Sequence, residues 1–174
     1  MAVPAPVLRG ERLLLRPVTE DDAARLLQIL HEPEVARWWG VFDAKRVRED
    51  LIDPPDETVF AVELDRELIG AVNVYEEPTP EYRHASLDIF LAPDRHGQGL
   101  GTEALLVVAR YLVDERGHHR LTIDPAADND RAIRVYERLG FRPVGVMRDY
   151  ERGADGTWHD GLLMDVLAGE LRDA

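Results

Sequence analysis

The chain contains no cysteine. That excludes disulfides, thiolate nucleophiles and cysteine-ligated metals, and it fits a reducing cytoplasm. Lysine is nearly absent. Lys45 stands alone, and the other basic residues are arginine, which argues against Schiff-base chemistry. Ser86 is the single serine, flanked by Ala85 and Leu87; without a G-x-S-x-G elbow, a serine hydrolase is not expected. Long apolar runs are missing as well. The stretch Leu105 to Ala109 is far too short to span a bilayer. The opening MAVPAPVLRG lacks the apolar core of a secretory signal. A cytoplasmic protein with no membrane partner is expected. His31, His84, His96, His118, His119 and His159 show no H-x-x-x-H spacing, so no metal site is expected. His118-His119 reads as a loop or strand-end surface pair.

What is present is acid. Lys+Arg total 21 against Asp+Glu 34, a net charge of −13. Such a field repels nucleic acid and attracts cations, although a surface charged for solubility accounts for most of it. With 174 residues, 45% hydrophobic and 32% charged, the chain is long enough for a substantial core and is read as one domain, residues 1–174. There is no internal repeat and no low-complexity linker.

Hydrophobic periodicity divides the chain into elements. Glu11 to Val18 reads as a strand. Thr19 is a candidate N-cap for a helix from Glu20 to His31, with Ala23, Leu26, Leu27 and Leu30 as its apolar stripe. A short helix or turn is expected at Glu34–Gly40 and a second short helix at Ala44–Ile52. Thr58–Leu64 and Leu68–Tyr75 read as a hairpin joined by Asp65-Arg66-Glu67. Arg83–Leu91 is a strand, Thr102–Glu115 a helix, Arg120–Asp124 a strand and 130–139 a helix capped by Asn129 or Asp130. Phe141–Tyr150 and Thr157–Leu167 read as two final strands. The pattern is mixed α/β, with largely antiparallel pairing and helices packed on the sheet.

Between the strand ending at Leu91 and the helix at Thr102 lies PDRHGQGLG, with Gly97, Gly99 and Gly101 in five positions. A glycine-rich turn into a helix N-terminus is an anion site, because the first amides lack partners and the helix dipole favours negative charge. A tight turn without ligand is the alternative. A Walker loop is excluded, since no lysine follows the glycines. A dinucleotide fingerprint fails because Thr102 stands where its last glycine would be.

The loop His96-Gly97-Gln98-Gly99-Leu100-Gly101-Thr102 resembles the acetyl-CoA pyrophosphate loop of the GNAT superfamily of N-acetyltransferases, whose pattern is Arg or Gln, two residues, Gly, one residue, Gly or Ala; His96 takes the Arg/Gln place. The run Asn129 to Phe141 resembles the N-x-x-A-x-x-x-Y-x-x-x-G-F signature of the same superfamily. Trp38-Trp39-Gly40, Leu87-Asp88 and Asp124-Pro125 are similar to segments of aminoglycoside 6′-N-acetyltransferases. The C-terminal stretch is similar also to ribosomal-protein and other small-amine acetyltransferases.

The resemblance implies a GNAT fold with helices on both faces of the sheet and acetyl-CoA as cosubstrate. It implies cofactor contacts from Ile89, Phe90, Leu91, His96, Gly97, Gln98, Gly99, Leu100, Gly101, Thr102, Asn129 and Tyr136. Asn129 serves either CoA or only the helix cap. Asp88 is the expected proton acceptor for the amine. Alternation places it with His84, Ser86 and Phe90, opposite Ala85, Leu87, Ile89 and Leu91; the other reading is a solvated surface acid. Tyr136 is implied to protonate the leaving thiolate, against a plain core role. Asp124 either binds a second ammonium or is a strand-end turn acid. Trp38 and Trp39 are adjacent and point different ways on a helix; both are candidate substrate contacts, with Trp39 preferred for the pocket. Glu76, Glu77 and Glu81 form an acidic stretch that either draws in polyamines or is solvated loop.

The implied activity is acetyl transfer to a primary amine of a polycationic small molecule, an aminoglycoside above all. Three readings stay open beside it: a polyamine acceptor, a protein N-terminus, and a non-catalytic CoA-binding sensor. A monomer or a homodimer is expected.

Overall fold

Strand β3, Glu57–Leu64, shows why the sheet is covered twice. Its Phe60 and Val62 belong to one buried cluster, and Val59 and Ala61 to another. A strand apolar on both faces needs a layer on each side. The computed structural model describes residues 5–173; residues 1–4, which begin the segment read above for a secretory signal, and residue 174 lie outside it.

Within that range the chain runs β1 (Leu8–Arg9), β2 (Leu13–Pro17), α1 (Ala23–Leu30), α2 (Pro33–Trp39), α3 (Ala44–Val47), β3, β4 (Glu67–Glu76), β5 (Ala85–Leu91), α4 (Leu100–Arg110), β6 (Arg120–Ile123), α5 (Asp130–Arg138), β7 (Arg142–Arg152) and β8 (Trp158–Leu167). The described residues form an eight-stranded sheet ordered β1-β2-β3-β4-β5-β6-β8-β7. Pairing is antiparallel except between β5 and β6. Leu26, Ile29, Leu30, Val35, Val47 and Leu51, from α1 to the turn after α3, pack on one face. Leu105, Val108, Leu112, Tyr136 and Leu139, from α4, α5 and the turns that follow them, pack on the other. The expected mixed fold with helices on both faces is the one observed. Among the described residues no helix is long and apolar enough to cross a membrane.

Local departures from the sequence reading have identifiable causes. The link between β3 and β4 is the two-residue turn Asp65-Arg66, both at positive φ. Glu67 already pairs with Leu64, because a turn of that hand matches the strand twist. After Thr19 the chain first makes a 3₁₀ turn, Glu20–Asp22, and only then enters α1. Thr19 takes the N-cap place of that turn, and Asp22, its third residue, reaches back to it. Asp22 accepts from the Thr19 amide at 2.8 Å and from the Arg16 guanidinium at 2.8 Å. β1 was not foreseen; two residues are too few to show a period.

His118 is a correction. It is only 2% exposed, and its Nε2 stands 2.6 Å from Glu76 Oε2. Arg116 holds the same carboxylate. Glu77 accepts from the Thr79 amide and the Tyr75 hydroxyl. Two of the three acids read as either a lure for polyamines or solvated loop are therefore engaged internally.

The feature that positions the site is a parting of two strands. β5 pairs with β6 only at Ala85↔Leu121 and Ser86↔Thr122, where the Ser86 and Thr122 hydroxyls meet at 2.7 Å. Beyond that point β5 continues to Leu91. The other chain stays with β8, through Ile123↔Met164, the Leu162 amide on Pro125 O at 2.8 Å, and the bridge Ala126↔Gly161. A wedge opens between them, and one side of the β5 backbone from Asp88 onward lacks a strand partner.

Candidate active site

The glycine loop crosses the wide end of that wedge. Gly97 and Gly99 sit at φ +72° and +76°, in the left-handed region that side chains disfavour. Gly99 is the residue before α4, and the first helical bond runs from Glu103 N to Gly99 O at 3.0 Å. The amides of Leu100, Gly101 and Thr102 therefore have no intrahelical partner. Gly101 has ordinary helical geometry, and a Cβ there would meet nothing closer than Leu91 Cδ1 at 3.6 Å. Packing does not demand glycine at that position. It borders the cleft, so its lost side chain leaves room for a ligand beside the free amides. That combination fits a diphosphate.

The loop is braced from both sides. Arg12 donates to Gln98 O at 2.9 Å and to Glu103, whose Oε1 also accepts the Arg12 and Leu13 amides. The Gln98 amide folds back on Asp94 O. His96 Nε2 lies 2.8 Å from Leu91 O, and its buried Nδ1 has no partner. Burial, and then the Arg131 charge, hold His96 below its ordinary pKa. At the place where the motif carries Arg or Gln, this chain therefore has a neutral ring that pins the loop to β5. The cation on this side of the cleft is Arg131, from the first turn of α5.

A cleft of about 980 Å³ runs from the loop through the wedge to α2 and the turn after α3. Of the residues expected to hold the cofactor, Ile89, Phe90, Leu91, His96, Gly101, Asn129 and Tyr136 line it. Gly97, Gln98, Gly99, Leu100 and Thr102 do not. Leu100 and Thr102 turn their side chains into the protein, so these positions have main chain to offer. Asn129 caps α5, with Oδ1 accepting from the Ala132 amide at 3.2 Å. It does so at the cleft wall, so capping and lining coincide.

The other half of the cleft is floored by the sheet. Register sets Val59, Asn73 and Asp88 side by side across β3, β4 and β5, and Glu57, Tyr75 and Ser86 in the next row. The preceding row, Ala61, Ala71 and Phe90, is buried beneath α1 and α2. The sheet face thus changes from apolar to polar where its helical cover ends. That is why Asp88 and Phe90 share a face yet differ in surroundings. Both tryptophans line the cleft. Trp39 is also packed edge-on to Phe90 at 4.9 Å and near Phe42, while Trp38 is faced by the Arg37 guanidinium at 4.5 Å. Both candidate substrate contacts thus border the cleft, and Trp39 is packed against the apolar cluster as well.

The acids converge. Asp88 is open to the cleft but enclosed by its walls. Loss of hydration, and then the Asp124 charge, push its carboxyl up to about 7. One of its oxygens accepts from the Ile89 amide at 2.9 Å. Asp124, at the end of β6, accepts from the Tyr150 hydroxyl. That bond and burial push Tyr150 up to about 12, so the phenol remains a donor. Burial and Asp124 also raise Glu151. Tyr136 is 6% exposed and reaches the cleft from α5. Burial, followed by Asp88 and Asp124, moves its hydroxyl well above the usual tyrosine range, which keeps it a proton donor. Sequence reasoning missed Glu57, Asn73, Tyr150, Glu151 and Arg131.

Comparison with known proteins identifies the family and the fold. Residues 12–142 match the model of the acetyltransferase (GNAT) domain. An aminoglycoside N(6′)-acetyltransferase type 1 of Klebsiella pneumoniae is 29% identical over 158 residues, covering 79% of this chain and 78% of that protein. Spermidine N(1)-acetyltransferase of Escherichia coli K12 is 28% identical over 159 residues, covering 88% and 84%. The structure of Mycobacterium smegmatis RimJ in complex with CoA-disulfide superposes with a TM-score of 0.80 at 25% identity, covering 97% of this chain and 89% of that one. GNAT acetyltransferases use acetyl-CoA. The chain belongs to the GNAT family and is an acyltransferase of the N-acetyltransferase type.

Proposed function

We propose that the enzyme acetylates a primary amine of a polycationic small molecule, with an aminoglycoside 6′-amine as first candidate and a polyamine as second. The observation that carries this reading is the gathering of Asp124, Glu151 and Glu57 around Asp88, close enough for their charges to act on it, in a cleft that Trp38 and Trp39 also line. Carboxylates facing an aromatic wall bind ammonium groups at more than one point. The similarity to both an aminoglycoside and a spermidine acetyltransferase supports the amine class.

Acetyl-CoA, when bound, supplies a thioester carbonyl as the electrophile. The free amides at the start of α4 and the Arg131 guanidinium neutralise its diphosphate. Asp88 holds the acceptor ammonium at the wedge and takes its proton, directly or through water. A carboxyl near 7 is a far better base than one at about 3.9. Tyr136, kept protonated by burial and by two nearby acids, delivers a proton to the departing sulfur. Asp124, oriented by Tyr150, binds a second ammonium. Positioning two charges of one acceptor supplies part of the rate.

The test is thiol release from acetyl-CoA across aminoglycosides, polyamines, a simple monoamine and peptides with free N-termini. Release with multiply charged small amines is expected. Release with peptides alone would make this a protein N-terminal acetyltransferase. No amine-dependent release would make it a CoA sensor.

A further inference from the structure

Asn73 is the one polar residue in the Leu68–Val74 run of β4. It stands directly opposite Asp88 of β5 in the antiparallel register, so the two side chains share a face with Cβ atoms about 5 Å apart. Its Nδ2 donates to Glu57 Oε2 at 3.0 Å. Reversing the amide would set two acceptors against each other, so Glu57 fixes which way the group points. The consequence falls on the other atom: Asn73 Oδ1 is buried and has no hydrogen-bond partner. A buried acceptor left bare is costly, and the protein has kept one beside the carboxyl at the centre of the cleft.

We propose that Asn73 is a positioning residue for Asp88, its Oδ1 being the acceptor for the acid O–H that Asp88 carries once it has taken the proton of the acceptor amine. The inference rests on Asp88 being the base. One Asp88 oxygen is held by the Ile89 amide, which leaves the other to bear the proton. While Asp88 is ionised, it and Asn73 Oδ1 offer only lone pairs to each other. Once Asp88 is protonated, the orphaned oxygen gains its donor. The geometry therefore stabilises the neutral acid and strengthens the base. In the step, an N–H bond of the ammonium breaks and an O–H bond on Asp88 forms; the proton later returns to water in the cleft.

The Ile89 amide alone favours the ionised form; the charged and phenolic groups facing Asp88 favour the protonated form or are neutral. Asp124 at the end of β6, Glu151 on β7 and Glu57 on β3 each favour the protonated form. Tyr136 on α5 and Tyr150 on β7 are held protonated. Arg46, on α3, bears on Glu151 and is engaged by Asp50 at 3.0 Å.

The experiment is a titration of the Asp88 carboxyl carbon by ¹³C NMR in the full chain without ligands. Asn73→Leu, similar in volume, should lower the midpoint by about one unit, a tenfold loss of proton affinity. Asn73→Asp, which keeps the shape and adds an anion, should raise it. An unchanged or raised midpoint in Asn73→Leu overturns the proposal. If that variant does not fold, Asn73→Asp decides, and a midpoint that stays or falls overturns it. Kinetics of Asp88→Asn separate the two claims. Undiminished transfer there removes Asp88 as base, whereas lost transfer together with an unmoved Asn73→Leu midpoint removes only the role of Asn73.

Discussion

The Tyr150 hydroxyl donates to Asp124 Oδ2 at 2.5 Å, tying the long strand β7 to the end of β6 at the wall of the cleft that Asp124 lines. The bond orients the Asp124 carboxylate. Under the proposed function, a second carboxylate so placed reads the charge of the acceptor at a second point.

Asp124→Asn should therefore raise KM for an aminoglycoside or polyamine about tenfold and leave KM for a monoamine nearly unchanged, the size expected when a charge-assisted contact in a partly enclosed pocket is lost. Because the Asp124 charge also raises Asp88, the acidic limb of kcat/KM should move to lower pH in the same variant. Steady-state kinetics with both acceptors check this. Equal damage to both makes Asp124 a structural residue.

Gly101→Ala should weaken acetyl-CoA binding while leaving the fold intact. The position has ordinary helical geometry and a methyl group meets only Leu91 at 3.6 Å, so alanine adds about 1 kcal/mol of helix propensity. The expected result is a raised Kd for CoA by calorimetry together with an unchanged or higher Tm. Gly99 is the poorer probe, since its φ of +76° would strain any side chain whether or not a ligand binds.

The loop and the Asn129–Phe141 run were legible because their signals are local: glycine spacing before a helix, and a cap followed by an apolar stripe. The loop leads into α4 and the run forms the capped helix α5, as read, although Gly97, Gln98, Gly99, Leu100 and Thr102 do not line the cleft. The carboxylates and amides gathered by sheet register were not legible. Glu57, Asn73 and Asp88 come from three strands and meet only through pairing. Asn73 did leave a trace, as a polar residue inside the apolar run LIGAVNV. His118 was misread as surface because its partner, Glu76, is 42 residues away in the chain. The β5–β6 wedge could not be read at all, since it arises from β6 following β8 rather than from any property of β5.

Tyr136→Phe should lower kcat about 100-fold with little change in amine KM, the signature of a group acting on the leaving sulfur and not on the acceptor. Removing the hydroxyl leaves the ring and its contact with Phe141 at 6.3 Å, so Tm should hold. A matched loss in kcat and rise in KM would indicate packing.

Asp88 also bears on stability. Its carboxyl lies near 7 when folded and at about 3.9 when unfolded. Between those values the folded chain keeps a proton that the unfolded chain has lost, so stability falls as pH rises through the window. Asp88→Asn should melt above the parent at about pH 8 and converge with it near pH 4, at roughly 2–4 °C for each kcal/mol relieved. Scanning calorimetry at the two pH values tests it. A variant less stable at the higher pH would show that the carboxylate is a structural anchor.

The most direct test of the account is the pH dependence of kcat/KM for amine acetylation in the parent and in Asp88→Asn. The amine must lose its proton to a carboxylate, so the parent rate should rise with pH through a midpoint near 7, the value the site imposes on Asp88. In Asp88→Asn the rate should drop by about 100-fold or more at neutral pH, and that inflection should vanish. The remaining slope should follow only the ionisation of the free amine. A parent profile that persists unchanged in Asp88→Asn would contradict the account.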